Sequence, residues 1–334
     1  MHDVTIKLLL KRGALVAAAN WQITLIQFVA DSTFKMLLSV PIVGGVLLVA
    51  LVLGRDLPEL VTGDLRSSVA FITSALLGEP FALVAFLLAM AVVAGTGATL
   101  MVLVKGGTVA VLAQGERQAD AVEVPPLLLR PFMSGAAFSI DGYQAGCIAV
   151  FRRYMRLSLL LGVVYILSAS AYLAVLFGGY GNGFESGINW TMAAVVATIV
   201  MVVWITVINF AYLLIQMVVV VDDCSVRNAG ARVLRFLGAE PRLAFGSLGV
   251  VVALVIGATF VSLVATTSLG LIAFVPLAGL AVIPLQLLAW LFRGVVFQYL
   301  GVSALGAYLA LYRRHVPPKD VPASVPAGVA PTES

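Results

Sequence analysis

A chain of 334 residues that is 61% hydrophobic and only 11% charged lies far from water-soluble domains, in which about a quarter of residues carry charge. The net charge of +4 does not point to nucleic acid, because the basic residues form short clusters beside apolar runs and no basic tract. No Lys, Arg, Asp or Glu occurs from Ile188 to Val221 or from Leu243 to Phe292, runs far longer than the roughly 20 residues a crossing helix needs. Lipid satisfies no backbone groups, so the fold class expected is all-α: a polytopic six-helix membrane bundle.

The opening MHDVTIKLLLKRGALVAAANW imitates a secretion signal, with Lys7, Lys11 and Arg12 before a short apolar run and Ala17-x-Ala19 placed like a cleavage site. Yet Asn20, Thr24, Gln27, Asp31 and Lys35 follow at spacings of 4, 3, 4 and 4, one polar stripe on a helix that continues past the supposed cut. The segment is therefore expected to stay on the chain.

Length and breakers place crossing segments at about 36–53, 81–104, 157–177, 190–221 and 243–268, with a sixth within 277–312. Two candidates compete for the sixth. LGLIAFVPLAGLAVIPLQLLAWLF is interrupted by Pro276 and Pro284, while GVVFQYLGVSALGAYLALYRR follows Arg293; the choice decides whether Arg293 is at the membrane rim or inside it. Residues 1–315 are expected to form a single transmembrane domain, and the Pro- and Ala-rich stretch 316–334 a disordered tail.

Basic clusters precede each pair of spans: Lys7, Lys11 and Arg12; Arg152, Arg153 and Arg156; Arg227, Arg232 and Arg235. The pattern predicts three helical hairpins with interfacial amphipathic helices. On the opposite side, LRSSVAFITSALLG reads as an amphipathic segment and FGGYGNGFESGINW as a Gly-rich turn ending at the interfacial Trp190. Of the 20 Lys and Arg, 18 fall on the side of the termini and only Arg55 and Arg66 on the other, so the positive-inside rule puts both termini in the cytoplasm.

VVDDCSVRNAGARVLRF ends the fourth span with Asp222 and Asp223 and opens a short helix that Asp223 or Ser225 is expected to cap. Gly238 is the expected C′ residue, and Pro241 opens the next helix. The six arginines Arg152, Arg153, Arg156, Arg227, Arg232 and Arg235 are candidate contacts for anionic lipid headgroups.

Catalytic signals are sparse. The two histidines, His2 and His315, lie near the ends, which supports neither a metal site nor His-based acid–base chemistry; Cys147 and Cys224 read as free thiols; no cofactor is expected. Asp141-Gly142-Tyr143-Gln144-Ala145-Gly146 departs from the Asp-Gly-x-x-Ala-Arg core of the CDP-alcohol phosphotransferases, with Gly146 in place of the arginine. Every Asp and Glu is read as lying in a loop or at a span border, which argues against coupled secondary transport. Ala91, Gly95 and Thr99, and Gly249, Ala253 and Gly257, form small-residue seams expected to pack within the bundle.

Asn209, Tyr212 and Gln216 share one face of the fourth span. They serve either as hydrogen-bonding glue between helices or, with Gln286 and Arg293, as the lining of a polar recess for a lipid headgroup or other anion.

The ending ALGAYLALYRR and the border VVDDCSVRNAGARVLRF resemble uncharacterised six-span bacterial families, similar in layout to the membrane domain of glycerophosphodiester phosphodiesterases. The chain has no soluble phosphodiesterase domain, so the resemblance implies a bacterial inner-membrane protein and not that activity. The function expected is non-catalytic binding or handling of lipids or other amphiphiles, with anionic lipids as partners. The alternatives are a structural partner of another envelope membrane complex and an intramembrane lipid-modifying enzyme.

Overall fold

The computed structural model describes residues 6–53, 78, 80–120, 122–123, 129–181, 187–273 and 278–315. The expected amphipathic segment 65–78 and the tail 316–334 fall wholly or largely outside them; of the expected Gly-rich turn 177–190 only 182–186 does, and its two flanks are helical. Among the described residues the regular elements are helices: α1 (Ile6–Ala19), α2 (Trp21–Leu53), α3 (Pro80–Gln118), α4 (Leu129–Ser134), α5 (Ile140–Gly181), α6 (Gly187–Val221), α7 (Val226–Ala239), α8 (Pro241–Ala273) and α9 (Ala278–His315). Six of them contain stretches long and apolar enough to cross a membrane: Trp21–Leu47, Pro80–Gln118, Ile140–Phe177, Trp190–Val221, Pro241–Ile272 and Pro284–His315. Consecutive long helices pack as the hairpins α2–α3, α5–α6 and α8–α9; α3 also packs on α5, and α1 lies along α9.

The helices overrun the expected spans. At 33 to 42 residues, α2, α3, α5, α6, α8 and α9 are each about 50–63 Å long, against a hydrocarbon core of about 30 Å. Ending a span at the first charge therefore misplaces the helix end, because the charges ride on the same helix beyond the apolar stretch. α2 starts at Trp21 and carries Asp31 and Lys35, so not every carboxylate falls in a loop or at a border. α5 starts at Ile140, making Asp141 part of its first turn and Arg152, Arg153 and Arg156 part of the helix that goes on to cross. α9 runs unbroken through Pro284 and Arg293, so the first candidate from Ala278 onward and the whole of the second belong to one helix, while 269–273 close α8.

Burial divides the molecule into two zones. In 158–177 of α5, 190–209 of α6 and 248–272 of α8 no residue is buried, and the large apolar side chains there point outward. By helical rise these stretches measure about 29–36 Å, matching a hydrocarbon core. This apolar belt suits lipid: in water, each such side chain left uncovered would forgo about 1.5–3 kcal/mol. Between α5 and α6 the belt is joined by polar pairs at helical spacing. Trp204 Nε1 donates to Ser168 Oγ at 2.9 Å, the Tyr172 and Thr198 hydroxyls meet at 2.9 Å, and Tyr165 donates to Asn209 Oδ1. Gly95, Gly249 and Gly257 from the expected seams face open space, with nothing within 4 Å of where a Cβ would stand, so these glycines do not pack on a neighbouring helix.

The other zone is a packed base formed by α1, α7 and the adjoining ends of α3, α5, α6 and α9. Its core holds Leu9, Tyr154, Leu214, Phe236, Tyr308 and Tyr312. Every residue of 302–312 on α9 is buried. α1 lies so close to α9 that a Cβ on Gly13 would stand 2.4 Å from both Ala307 N and Ser303 O. The buried tyrosines keep their hydroxyls paired: Tyr154 donates to Gln216 O at 2.7 Å and Tyr312 to Asp222 Oδ2 at 2.7 Å.

Two ionic devices secure the base. The first clasps α1 and the end of α9 to the end of α3. Arg12 donates to Glu116 Oε1 and Glu123 Oε2, each at 2.8 Å, and to the terminal carbonyls of Ala119 at 2.9 Å and Asp120 at 2.8 Å. Arg313 reaches the other oxygen of Glu116 at 2.9 Å and Ala113 O at 2.6 Å, while Lys11 donates to Glu123 O at 2.8 Å. Burial pulls the Arg12 guanidinium down, but Glu116 and Glu123 more than offset it and hold it above the ordinary arginine value.

The second device uses the two aspartates directly behind α6. Asp222 pairs with Arg232 and Asp223 with Arg153, tying α7 and α5 to the turn after α6. Asp223 adopts φ 46°, the left-handed region that Asp tolerates better than most residues. Ser225 is the cap of α7, accepting from Asn228 N at 3.4 Å. Gly238 lies inside α7, which ends at Ala239 with Glu240 as its C-cap.

Candidate binding site

The polar stripe of α2 has two destinations. At the base, Asn20 is buried, donates to Val16 O at 2.9 Å and Gly135 O at 2.8 Å, and accepts from Ala137 N at 2.8 Å. Three turns further along, Asp31 and Lys35 face α8 and α9 near the junction of base and belt. Lys35 Nζ donates to Asp31 Oδ2 at 2.6 Å across one helical turn. The pair is unequally covered: the Asp31 side chain is 21% exposed and that of Lys35 65%, so the ammonium faces outward while its carboxylate is tucked in.

Close approaches at two glycines set the walls. A Cβ on Gly294 of α9 would stand 2.3 Å from the Phe28 ring, and one on Gly97 of α3 would stand 1.9 Å from the Phe34 ring. Both α9 and α3 are thereby drawn onto α2. The result is a polar cavity of 440 Å³ between α2, α8 and α9, lined by Asp31, Lys35, Thr259, Trp290, Arg293 and Gln298 among others. Arg293 lies where the exposed apolar run of α9 ends, its guanidinium 5.6 Å from the Phe297 ring centroid. Among the described residues no carboxylate stands within ion-pair distance of it.

A second cavity of 330 Å³ opens between α8 and α9 and is mostly apolar, with Val261, Ala265, Phe292 and Val296 in its walls. Arg293 and Phe297 line both cavities. A charged chamber and an apolar groove therefore share one wall.

On α3, the Lys105 ammonium lies 5.3 Å from the centre of the Tyr212 ring, and Lys105 lines neither cavity.

The five residues expected to share a recess are not brought together. Asn209 accepts from Tyr165 and the Tyr212 and Ser158 hydroxyls meet at 3.0 Å, so these two side chains face α5, while the Gln216 backbone carbonyl accepts from Tyr154. The Gln216 side-chain Nε2 is buried without a hydrogen-bond partner among the described residues. Gln286 and Arg293 are on α9, and Gln286 lines neither cavity. α6 packs mainly on α5 and α7 and α9 mainly on α1, α8 and α2, and α6 meets α9 at the base, where the Phe210 and Tyr308 rings lie 5.3 Å apart.

The arginines divide as well. Arg153 and Arg232 are engaged by Asp223 and Asp222. Arg152, Arg156, Arg227 and Arg235 are exposed. Hydrogen bonding and charge from Asp222 raise Arg232 above the ordinary arginine value.

Asp31 and Lys35 were absent from the site expected from sequence. Their signal was present in the stripe running from Asn20 to Lys35, which marks one helix face but not the partner it meets. Fold and site together define an integral membrane protein of the all-α polytopic class. No protein-family model, curated protein or solved structure matches the chain.

Proposed function

We propose that this protein binds an anionic amphiphile, with the polar head in the chamber of Lys35 and Arg293 and an apolar tail in the groove between α8 and α9. The observation that carries this reading is the wall shared by the two cavities, formed by Arg293 and Phe297 at the edge of the apolar belt. A lipid has that same division, with a charged head joined to a tail at the depth where hydrocarbon ends. Lys35 is outward-facing and Arg293 lacks a described carboxylate, so an anion entering from the membrane meets two cations for one tucked acid.

The distribution of Lys and Arg supports a base on the cytoplasmic side of a bacterial inner membrane, which makes the inner leaflet the source of the ligand. Anionic lipids enrich that leaflet. The exposed Arg152, Arg156, Arg227 and Arg235 of the base add general attraction to the same surface.

The test is native mass spectrometry of protein extracted in mild detergent, comparing wild type with Arg293→Leu. Wild type is expected to retain one anionic lipid and the variant to lose most of it while remaining folded. Unchanged lipid on Arg293→Leu would remove this site. A co-purifying protein with no retained lipid would favour the role of structural partner.

A further inference from the structure

The hydrogen-bonding character of the chamber specifies the head more closely than its sign of charge. Resting on the amphiphile reading above, we infer that the preferred head is a singly charged phosphodiester that also carries free hydroxyls, a polyol head, in preference to a bare anion or an amine.

The chamber combines one unmatched cation with hydrogen-bond acceptors. Lys35 and Asp31 hold each other at 2.6 Å, so within the lining Arg293 is left as the charge without a described carboxylate. One unmatched positive charge beside hydrocarbon calls for one negative charge. Arg293 and Trp290 can only donate, which suits phosphate oxygens, while Ser32 and Gln298 can serve in either role. The acceptors come from α2 and α8. Asp31 gives Oδ2 to Lys35, and its Oδ1 accepts from no described residue. Thr259 donates its hydroxyl proton to Val255 O at 2.7 Å, so towards a ligand it acts only as an acceptor. A head made only of anionic oxygens would set acceptor against acceptor at Asp31 and Thr259, and an acceptor left unmet beside hydrocarbon is costly. Hydroxyls resolve this, because they donate to both oxygens without adding charge. An ammonium could donate there too, but it would cancel the charge of its own phosphate and add a third cation beside Lys35 and Arg293.

The experiment is competition for wild-type protein in nanodiscs among lipids of identical acyl chains, read by native mass spectrometry: phosphatidylglycerol, phosphatidylmethanol, which has the same charge and no hydroxyl, and phosphatidylethanolamine. Phosphatidylglycerol is expected to be retained about tenfold better than phosphatidylmethanol, the effect of a hydroxyl bonded to a charged acceptor, and to exceed phosphatidylethanolamine as well. Thr259→Val, which keeps the side-chain shape and removes the acceptor, should reduce the preference for glycerol over methanol and leave retention of phosphatidylmethanol unchanged. Equal retention of phosphatidylglycerol and phosphatidylmethanol by wild type, or an undiminished preference in folded Thr259→Val, overturns the polyol inference and leaves amphiphile binding standing. Preferred retention of phosphatidylethanolamine, or no retention of any of these lipids, overturns both. A further arm adds glycerophosphoglycerol, the same head without tails, in millimolar excess: persistence of bound lipid supports an amphiphile, while its displacement keeps the polyol head and overturns the lipid reading.

Discussion

The base and the belt are made from the same long helices, yet they are held together by different physics. In the base, helix faces are buried, aromatic hydroxyls find carbonyls, and Glu116 joins Arg12 to Arg313 across 104 and 197 positions of chain. In the belt, the apolar side chains face outward and the α5–α6 pair is joined by isolated hydrogen bonds such as Trp204 to Ser168. Water makes burial favourable in the base, whereas lipid tails are as apolar as the belt itself and reward no such burial. The proposed site lies where these regimes meet, in the region where a charged group finds both an aqueous edge and an apolar neighbour.

Breaking the clasp should have the largest effect. Glu116→Ala leaves Arg12 and Arg313 without their shared carboxylate; at side-chain exposures of 12% and 16%, loss of such a pair costs about 3–5 kcal/mol. Thermal unfolding in detergent should show a pronounced fall, and an unaltered midpoint would mean that the clasp contributes nothing.

Gly13→Val comes next. Its side chain would meet backbone atoms of α9 at 2.4 Å, where overpacking costs typically about 1–3 kcal/mol. The belt control is Gly249→Ala, which has nothing within 4 Å and trades a helical glycine for alanine, a gain of about 0.5–1 kcal/mol. Fluorescence-detected size exclusion after heating should separate the two variants in opposite directions. Similar behaviour of both would erase the distinction between zones.

Belt hydrogen bonds should matter less. Tyr165→Phe removes the bond to Asn209 and is expected to cost about 0.6 kcal/mol, typical of interhelical bonds inside membranes. A loss as large as that from Glu116→Ala would show that the belt is as firmly held as the base.

The smallest effect concerns reactivity at the border. Burial pushes the Cys224 thiol up, although Arg232 and Arg153 pull it down. Thiolate is the reactive form, so alkylation near neutral pH should be slower than for a free thiol and should rise with pH beyond the ordinary thiol range. Arg232→Gln removes one cation and should slow it further. Rapid labelling at neutral pH would indicate that the turn after α6 opens readily.

Long uncharged runs such as Leu243 to Phe292 determined from sequence alone that the protein is an all-α membrane protein with six crossing helices, because hydrocarbon admits a continuous apolar helix and little else. The Asn20-to-Lys35 stripe likewise established one polar face on one helix, since helical periodicity is local. Sequence did not show which partner that face would meet. Asp31 lies closer in sequence to the base residues of its own helix than to Arg293, and Arg293 read as a solitary charge until α9 packed on α2 through Gly294 and Phe28. Asn209 and Tyr212 appeared ready to join it, but the α5–α6 hairpin turned them toward Tyr165 and Ser158 instead. Which helices adjoin is decided by close packing and long-range ion pairs, whose partners are as distant in sequence as Gly13 and Ala307 or Glu116 and Arg313 and leave no periodic signal in either segment.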